Sequence, residues 1–329
     1  MAFFSATHDI AADGFYMMAL DEKAQAAFVG VRSTFYRIAS ILGQGGVVIL
    51  AGKLEDSFGD VPDAWAVTFG VLSLFFLIVF VWDAFIMPLP PRDRPSAEIK
   101  ASDIIKNFLE TFVTFFSKPY IWLAIAFMLL YRLPEALCLK LLPPFMLEPV
   151  DAGGLGLTTA QVGVANGTVG VIALLAGGIV GGLAIASGGL RRWLWPMAMA
   201  LTLPCAVYCF FAMYQPDYIW ICMGLGIEQF GYGFGFTAYM LYLMYFSAGE
   251  SQTSHYAFCT AFMALGMMLP GMCAGWLFNL CENIAQALVA GSSGYVIFFL
   301  MIMVSCLATF FSVMVVRPTL KREVEDQVD

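Results

Sequence analysis

Charge is what this chain has least of. Only 12% of its 329 residues are Asp, Glu, Lys or Arg, against roughly 25% in an ordinary soluble domain. So few charges cannot clothe a water-exposed globule of this size, which excludes a soluble enzyme and a disordered chain. A basic excess is missing too. Sixteen Lys and Arg stand against 24 Asp and Glu, a net charge of −8, so nucleic acid finds no cationic face. Histidine is reduced to His8 and His255, and none of the eight cysteines forms a CxxC pair. No metal-ligand cluster, cofactor site or nucleophile–base constellation can be assembled from these, and no enzymatic activity is expected. The first residues, MAFFSATHDIAAD, carry acids where a secretory leader needs an apolar core.

What is present is apolar: 60% of the residues, with a mean hydropathy of +0.81. The apolar runs are long and continuous, unlike the alternating strands of a membrane barrel. The expected fold class is therefore an all-α, polytopic membrane protein. Eight segments pass as spans: 28–52, 64–87, 120–147, 160–187, 193–214, 218–248, 256–280 and 295–316. A ninth, Ala2–Leu20, is more polar. The cysteines lie in or at the ends of these runs and read as small buried apolar residues.

The longest polar break is PLPPRDRPSAEIKASD, beginning at Pro88, followed by a surface helix over Ile104–Phe116. Six spans come after it. If Ala2–Leu20 crosses, thirteen Lys and Arg fall on one side and only Lys53 on the other, which makes the C-terminus cytoplasmic and the N-terminus external. Many transporters join two six-helix halves by such a loop, with the substrate site at the midplane. On that scheme about nine transmembrane helices of an expected twelve are present. Residues 1–87 are the last three helices of the N-terminal half, 88–119 the cytoplasmic inter-half loop, 120–316 the complete C-terminal half and 317–329 a cytoplasmic tail.

Ionisable side chains within spans are candidates for function, since each costs roughly 3 kcal/mol to insert. Asp9 and Asp13 share one helix face with Tyr16 and are the candidate proton-coupling pair. If the first helical hairpin turns at Glu22 and Lys23, Asp9 lies level with Arg37. That pairing is either a static neutralisation or a proton-exchange site tuned by the arginine. Ser33, Arg37, Ser40 and Gln44 form one polar stripe, which lines a cavity or bonds a neighbouring helix. Tyr131, Arg132 and Glu135 surround Pro134, which permits a break of the kind transporters use at a midplane site. Glu228, Tyr232, Gly235, Tyr239 and Tyr242 share one face, suited to sugar contact or, with the nearby glycines, to close helix packing. Gly177, Gly178, Gly181 and Gly182 read as helix contacts, Asn166 as cavity lining, and His255 as a solvated residue in the connection SAGESQTSH. The substrate-cavity candidates are thus Arg37, Gln44, Tyr131, Arg132, Glu135, Asn166, Glu228, Tyr232 and Tyr239.

The stretch Ser5-Ala6-Thr7-His8-Asp9-Ile10-Ala11-Ala12-Asp13, the following GVRSTFYR, and Tyr131-Arg132-Leu133-Pro134-Glu135 resemble the major facilitator superfamily, and within it the anhydromuropeptide permease (AmpG-like) branch. The likeness runs in helix order from a fourth helix to a twelfth. The segment Gly181–Arg192 resembles the superfamily's loop between helices eight and nine, with Ile185 where an acid usually stands. The resemblance implies a secondary transporter that works by alternating access, is coupled to protons, and imports a muropeptide-like amino-sugar peptide across the cytoplasmic membrane for cell-wall recycling. Its expected partners are the lipid bilayer, a small-molecule substrate and protons, with no nucleic acid and no cofactor, in a monomer. An importer of another solute (a sugar, peptide or acyl carrier) and a non-transporting membrane fragment remain the alternatives.

Overall fold

The computed structural model describes every residue except 1, 44–46, 88–100, 250, 289–292 and 321–329, and except the side chains of some helical residues such as Arg37. The described residues are helical almost throughout and include no strand. In order they form α1 (Ala2–Ala19), α2 (Glu22–Ile41), α3 (Val47–Phe58), α4 (Val61–Ile86), α5 (Ala101–Phe116), α6 (Ile121–Leu130), α7 (Leu133–Leu147), α8 (Thr159–Val162), α9 (Val171–Gly188), α10 (Leu190–Thr202), α11 (Ala206–Tyr214), α12 (Tyr218–Ser247), α13 (Gln252–Leu288) and α14 (Tyr295–Val316). A π-helical stretch, Gly163–Gly170, joins α8 to α9.

Among the described residues, six runs are long and apolar enough to cross a membrane: Val61–Ile86, Ile121–Leu147, Gly163–Gly188, Leu190–Tyr214, Gln252–Leu288 and Tyr295–Val316. The protein is an all-α, polytopic membrane protein, as its composition predicts. The expected span 218–248 is the single 30-residue helix α12. At 1.5 Å per residue it is about 45 Å long, enough to cross, but its many glycines and tyrosines make it less apolar than the six. Segment 28–52 is not one helix: α2 stops at Ile41, α3 starts at Val47, and 44–46 lie outside the described residues. The expected segment Ala2–Leu20 is the helix α1, Ala2–Ala19, without being one of the six apolar runs.

The chain packs as two units, Met1–Val31 with Ser96–Asp329, and Arg32–Pro95. In the smaller unit α3 packs against α4. Pro62 sits in the first turn of α4, where its missing N–H leaves no bond unmade. Ala64 and Thr68 are buried, and Thr68 Oγ1 donates back to the Ala64 carbonyl at 2.8 Å. Leu74, Phe75, Phe76, Phe80 and Trp82 project outward, which in a bilayer puts them against lipid.

The larger unit is built around α12, which has closely approached neighbours on two sides. A methyl group at Gly177 of α9 would collide with the Phe230 carbonyl, and one at Gly233 would meet the Leu174 carbonyl and the Gly178 nitrogen. Toward α10, Gly231 lies on the Ala200 carbonyl and Gly235 on that of Met197. Absent side chains let these backbones touch, which is how helices associate where no hydrophobic effect drives them together.

The α1–α2 hairpin turns at Leu20 and Asp21, about two residues before the expected Glu22 and Lys23. Asp21 Oδ1 accepts the Ala24 N–H at 2.7 Å and caps α2, so the charged pair belongs to the helix it starts. Gln25 Nε2 donates to the carbonyls of Met17 (3.1 Å) and Leu20 (3.0 Å), and the Tyr16 hydroxyl to that of Gln25 (2.7 Å), closing the turn. In α1, Gly14 sits against Thr253 at the start of α13.

The surface helix expected over Ile104–Phe116 is α5. Its Phe115 is fully buried among Phe246, Phe258 and Phe262. Lys118, just beyond, donates to the carbonyls of Phe246 (2.6 Å) and Ala248 (2.8 Å), neutralising the C-terminal end of α12. His255 is not solvated. It is 4% exposed, its ring centroid 5.5 Å from that of Phe115, with Nε2 3.2 Å from Thr114 Oγ1. It belongs to the first turn of α13, which starts at Gln252, and α5 lies over it, so the residue is in a covered helix and not in the connection before it.

Candidate functional site

The long apolar run from Ile121 to Leu147 does not form one continuous helix. α6 ends at Leu130 and α7 starts at Leu133, with Pro134 in its first turn. Between them Arg132 adopts φ −106° and ψ 15°, in the sparsely populated bridge region where many functional residues sit. The break lifts Arg132 off the helical path and places Glu135, on the first turn of α7, directly opposite its guanidinium.

Arg132 Nε donates to Glu135 Oε2 and Nη2 to Oε1, both at 2.8 Å. This two-pronged pairing matches the planar fork to a carboxylate. Nη2 also donates to the Tyr232 hydroxyl at 3.0 Å. The Arg132 Cζ lies 4.7 Å from the ring centre of Phe236, 5.7 Å from Tyr232 and 6.0 Å from Tyr239, a cation–π arrangement on three rings of α12.

These rings are themselves held. Tyr131 and Tyr239 stack at 5.3 Å, and their hydroxyls donate to the carbonyls of Gly235 (3.0 Å) and Met128 (2.6 Å). Both tyrosines are fully buried, whereas the Arg132 and Glu135 side chains keep 10% and 17% of their surface open. Tyr131 and Tyr239 therefore back the pair, while Arg132, Glu135 and Tyr232 form its accessible edge.

Five expected residues, Tyr131, Arg132, Glu135, Tyr232 and Tyr239, thus come together. Glu228, one turn of α12 before Tyr232, is buried. It accepts a hydrogen bond from Gln229 Nε2 at 2.8 Å, and the Tyr208 phenol lies within its electrostatic reach. Cys138 of α7 lies within electrostatic reach of both Glu228 and Glu135. Asn166 occupies the π-helical stretch, its Nδ2 3.6 Å from Met146 Sδ at the far end of α7; such stretches recur at functional sites. Asp13 is buried on α1 and Asp9 is exposed one turn earlier. The Arg37 side chain and the whole of Gln44 lie outside the described residues, and with them the expected Asp9–Arg37 pair.

The sequence missed Phe236, the ring nearest the guanidinium. Its only signal is helical spacing, four residues after Tyr232 and three before Tyr239. Lys140, on the next turns of α7, is exposed, and Pro143 and Pro144 lie within that helix without ending it.

No family model matches the chain. It is 22% identical over 283 residues to a putative transporter AmpG 4 of Rickettsia conorii, covering 85% of this chain and 64% of that protein. The corresponding protein of Rickettsia felis is 21% identical over the same length. The anhydromuropeptide permease of Escherichia coli K12 is 22% identical over 276 residues, covering 84% of this chain and 52% of the permease. The chain spans between about half and two thirds of the length of these curated relatives. Over most of its own length, this membrane protein is similar to AmpG-type anhydromuropeptide permeases and transporters.

Proposed function

We propose that the chain is a secondary transporter, or the greater part of one, that carries an anhydromuropeptide-like amino-sugar peptide inward across the cytoplasmic membrane by alternating access with protons as the coupling ion. The observation that carries this is the Arg132–Glu135 pair at a helix break, faced by the aromatic wall of α12. A fork-shaped cation beside a phenol suits a ligand with peptide carboxylates and sugar hydroxyls. Discontinuous helices at mid-depth are the usual setting of such a site in transporters. The relatives, a putative transporter and a permease, agree in kind. In this scheme 120–316 is a six-helix half of a major facilitator bundle, 1–87 belongs to the other half, 88–119 joins them inside the cell, and the C-terminus is cytoplasmic. Asp9 and Asp13 on α1 are the proton-coupling candidates of the first half.

The test is uptake of radiolabelled N-acetylglucosaminyl-anhydromuramyl tripeptide by cells that lack their own permease and produce this protein. Accumulation above the empty-vector control, abolished by a protonophore, is expected. Normal membrane insertion with no accumulation overturns the substrate assignment.

A further inference from the structure

The two partners of the central ion pair are not held alike. Arg132 is fixed from several directions: Phe236, Tyr232 and Tyr239 cover its face, Tyr232 accepts from Nη2, and Tyr131 buttresses the Tyr239 ring. Glu135 is held through the guanidinium, with both oxygens on one edge of the fork, and it is the more open of the two side chains. On the other edge, Nη1 has no hydrogen-bond partner among the described residues. An incoming carboxylate can therefore dock first at Nη1, beside the Tyr232 hydroxyl, and then take the two-pronged position that Glu135 holds. The guanidinium cannot follow its old partner out of the aromatic wall; the carboxylate on α7 is free to leave.

On the footing that this break is the substrate site, we propose that Glu135 is a resident stand-in for a ligand carboxylate, that the ligand displaces it from Arg132, and that Glu135 takes up one proton as it leaves. The ionisable groups that bear on it are Arg132 at the head of α7, Tyr239 on α12 with Tyr232 bonded to the same guanidinium, and Cys138 on α7 and Cys205 ahead of α11; Glu228 also bears on Cys138, and Lys140 stands exposed further along α7. Arg132 supplies the positive charge in this set. Once it is given to the ligand, a partly buried carboxylate has lost the cation that held it, and an unpaired charge is costly there. The balance is complete: a proton from water joins a Glu135 oxygen, the ligand anion joins Arg132, and no covalent bond of the ligand changes. The site carries the same net charge before and after, so an anion and a proton load together.

The experiment uses the purified full chain in detergent and N-acetylglucosaminyl-anhydromuramyl tripeptide, titrated calorimetrically in two buffers that differ in heat of ionisation. Wild type is expected to take up about one proton per ligand bound. The analogue with its carboxylates converted to amides is expected to bind about tenfold more weakly or worse, the loss of charge-assisted hydrogen bonds. Glu135→Gln is expected to bind the parent ligand at least as tightly as wild type, with no proton uptake. Binding without proton uptake in wild type, undiminished binding of the amide, or persistent uptake in Glu135→Gln each overturns the exchange. A folded wild type that binds no tripeptide overturns the substrate assignment instead. The exchange is then decided without ligand by infrared difference spectra of Arg132→Gln, where Glu135 has lost its cation. A carboxylic-acid band that disappears in the double variant with Glu135→Gln supports it, and its absence overturns it.

Discussion

The ring planes of Tyr131 and Tyr239 lie 11° from parallel with centroids 5.3 Å apart, and each phenol ends on a backbone carbonyl of the other's helix region. This reciprocal clasp joins the end of α6 to α12 at the level where α6 stops. It explains why the break at Arg132 is a defined geometry and not a loose joint.

Tyr239→Phe keeps the stack and leaves the Met128 carbonyl without its donor at a fully buried position. A destabilisation of about 1–3 kcal/mol is expected, the cost of an unsatisfied buried acceptor. Thermal unfolding in detergent reads it. Tyr131→Phe is expected to cost a similar amount, and because the residues touch, the two losses should not add.

Phe236→Leu removes the closest ring under the Arg132 guanidinium. The expected cost is about 1–2 kcal/mol of cation–π attraction, seen as weaker ligand binding with little change in membrane insertion. Phe236→Trp, which keeps a ring face, should retain most of the affinity. Equal binding by both variants would remove the aromatic wall from the account.

Gly177→Ala drives a methyl group into the Phe230 carbonyl. Backbone cannot yield as a side-chain tip can, so α9 and α12 must part, at an expected cost of about 1–3 kcal/mol. Gly275→Ala in α13, where nothing lies within 4 Å, is the matched control. It should be neutral or stabilising by about 0.5–1 kcal/mol. Comparing the two unfolding midpoints separates packing from helix propensity.

Lys118→Met takes the cation from the Phe246 and Ala248 carbonyls while keeping an apolar stem against the Phe246 ring. Hydrogen bonds from a charged donor are worth about 1.5–3 kcal/mol in total effect at partly buried sites. Faster amide hydrogen exchange in the last turn of α12 is the expected sign. An unchanged exchange rate would mean the lysine is only a surface charge.

Fold class was legible from composition, because a chain this poor in charge has no other way to satisfy its backbone. The α6–α7 break was legible as well: Pro134 in an apolar run with Arg132 and Glu135 around it has few structural meanings. Other features were hidden for definite reasons. Glu22 and Lys23 look like a turn because they are charged, but Asp21 caps the helix they begin. His255 looks solvated because its sequence neighbours are polar, yet its spatial neighbours are Thr114 and Phe115, 141 and 140 positions away. Phe236 is one of 30 phenylalanines, and only the rotation of α12 within the bundle singles it out. Local pattern reports which elements exist, while the facing of one element on another is a long-range property.

The glycine contacts of α12 limit how this molecule can move. The Phe230 carbonyl of α12 sits on Gly177 of α9 and the Leu174 carbonyl of α9 on Gly233, while carbonyls of α10 sit on Gly231 and Gly235. Sliding α12 by a turn past either neighbour would bring side chains into places where not even a methyl group fits. The three helices must therefore travel as one slab, carrying Tyr232, Phe236 and Tyr239 as a fixed keel. Any rearrangement at the site is then borne by α7, whose helix begins afresh after α6.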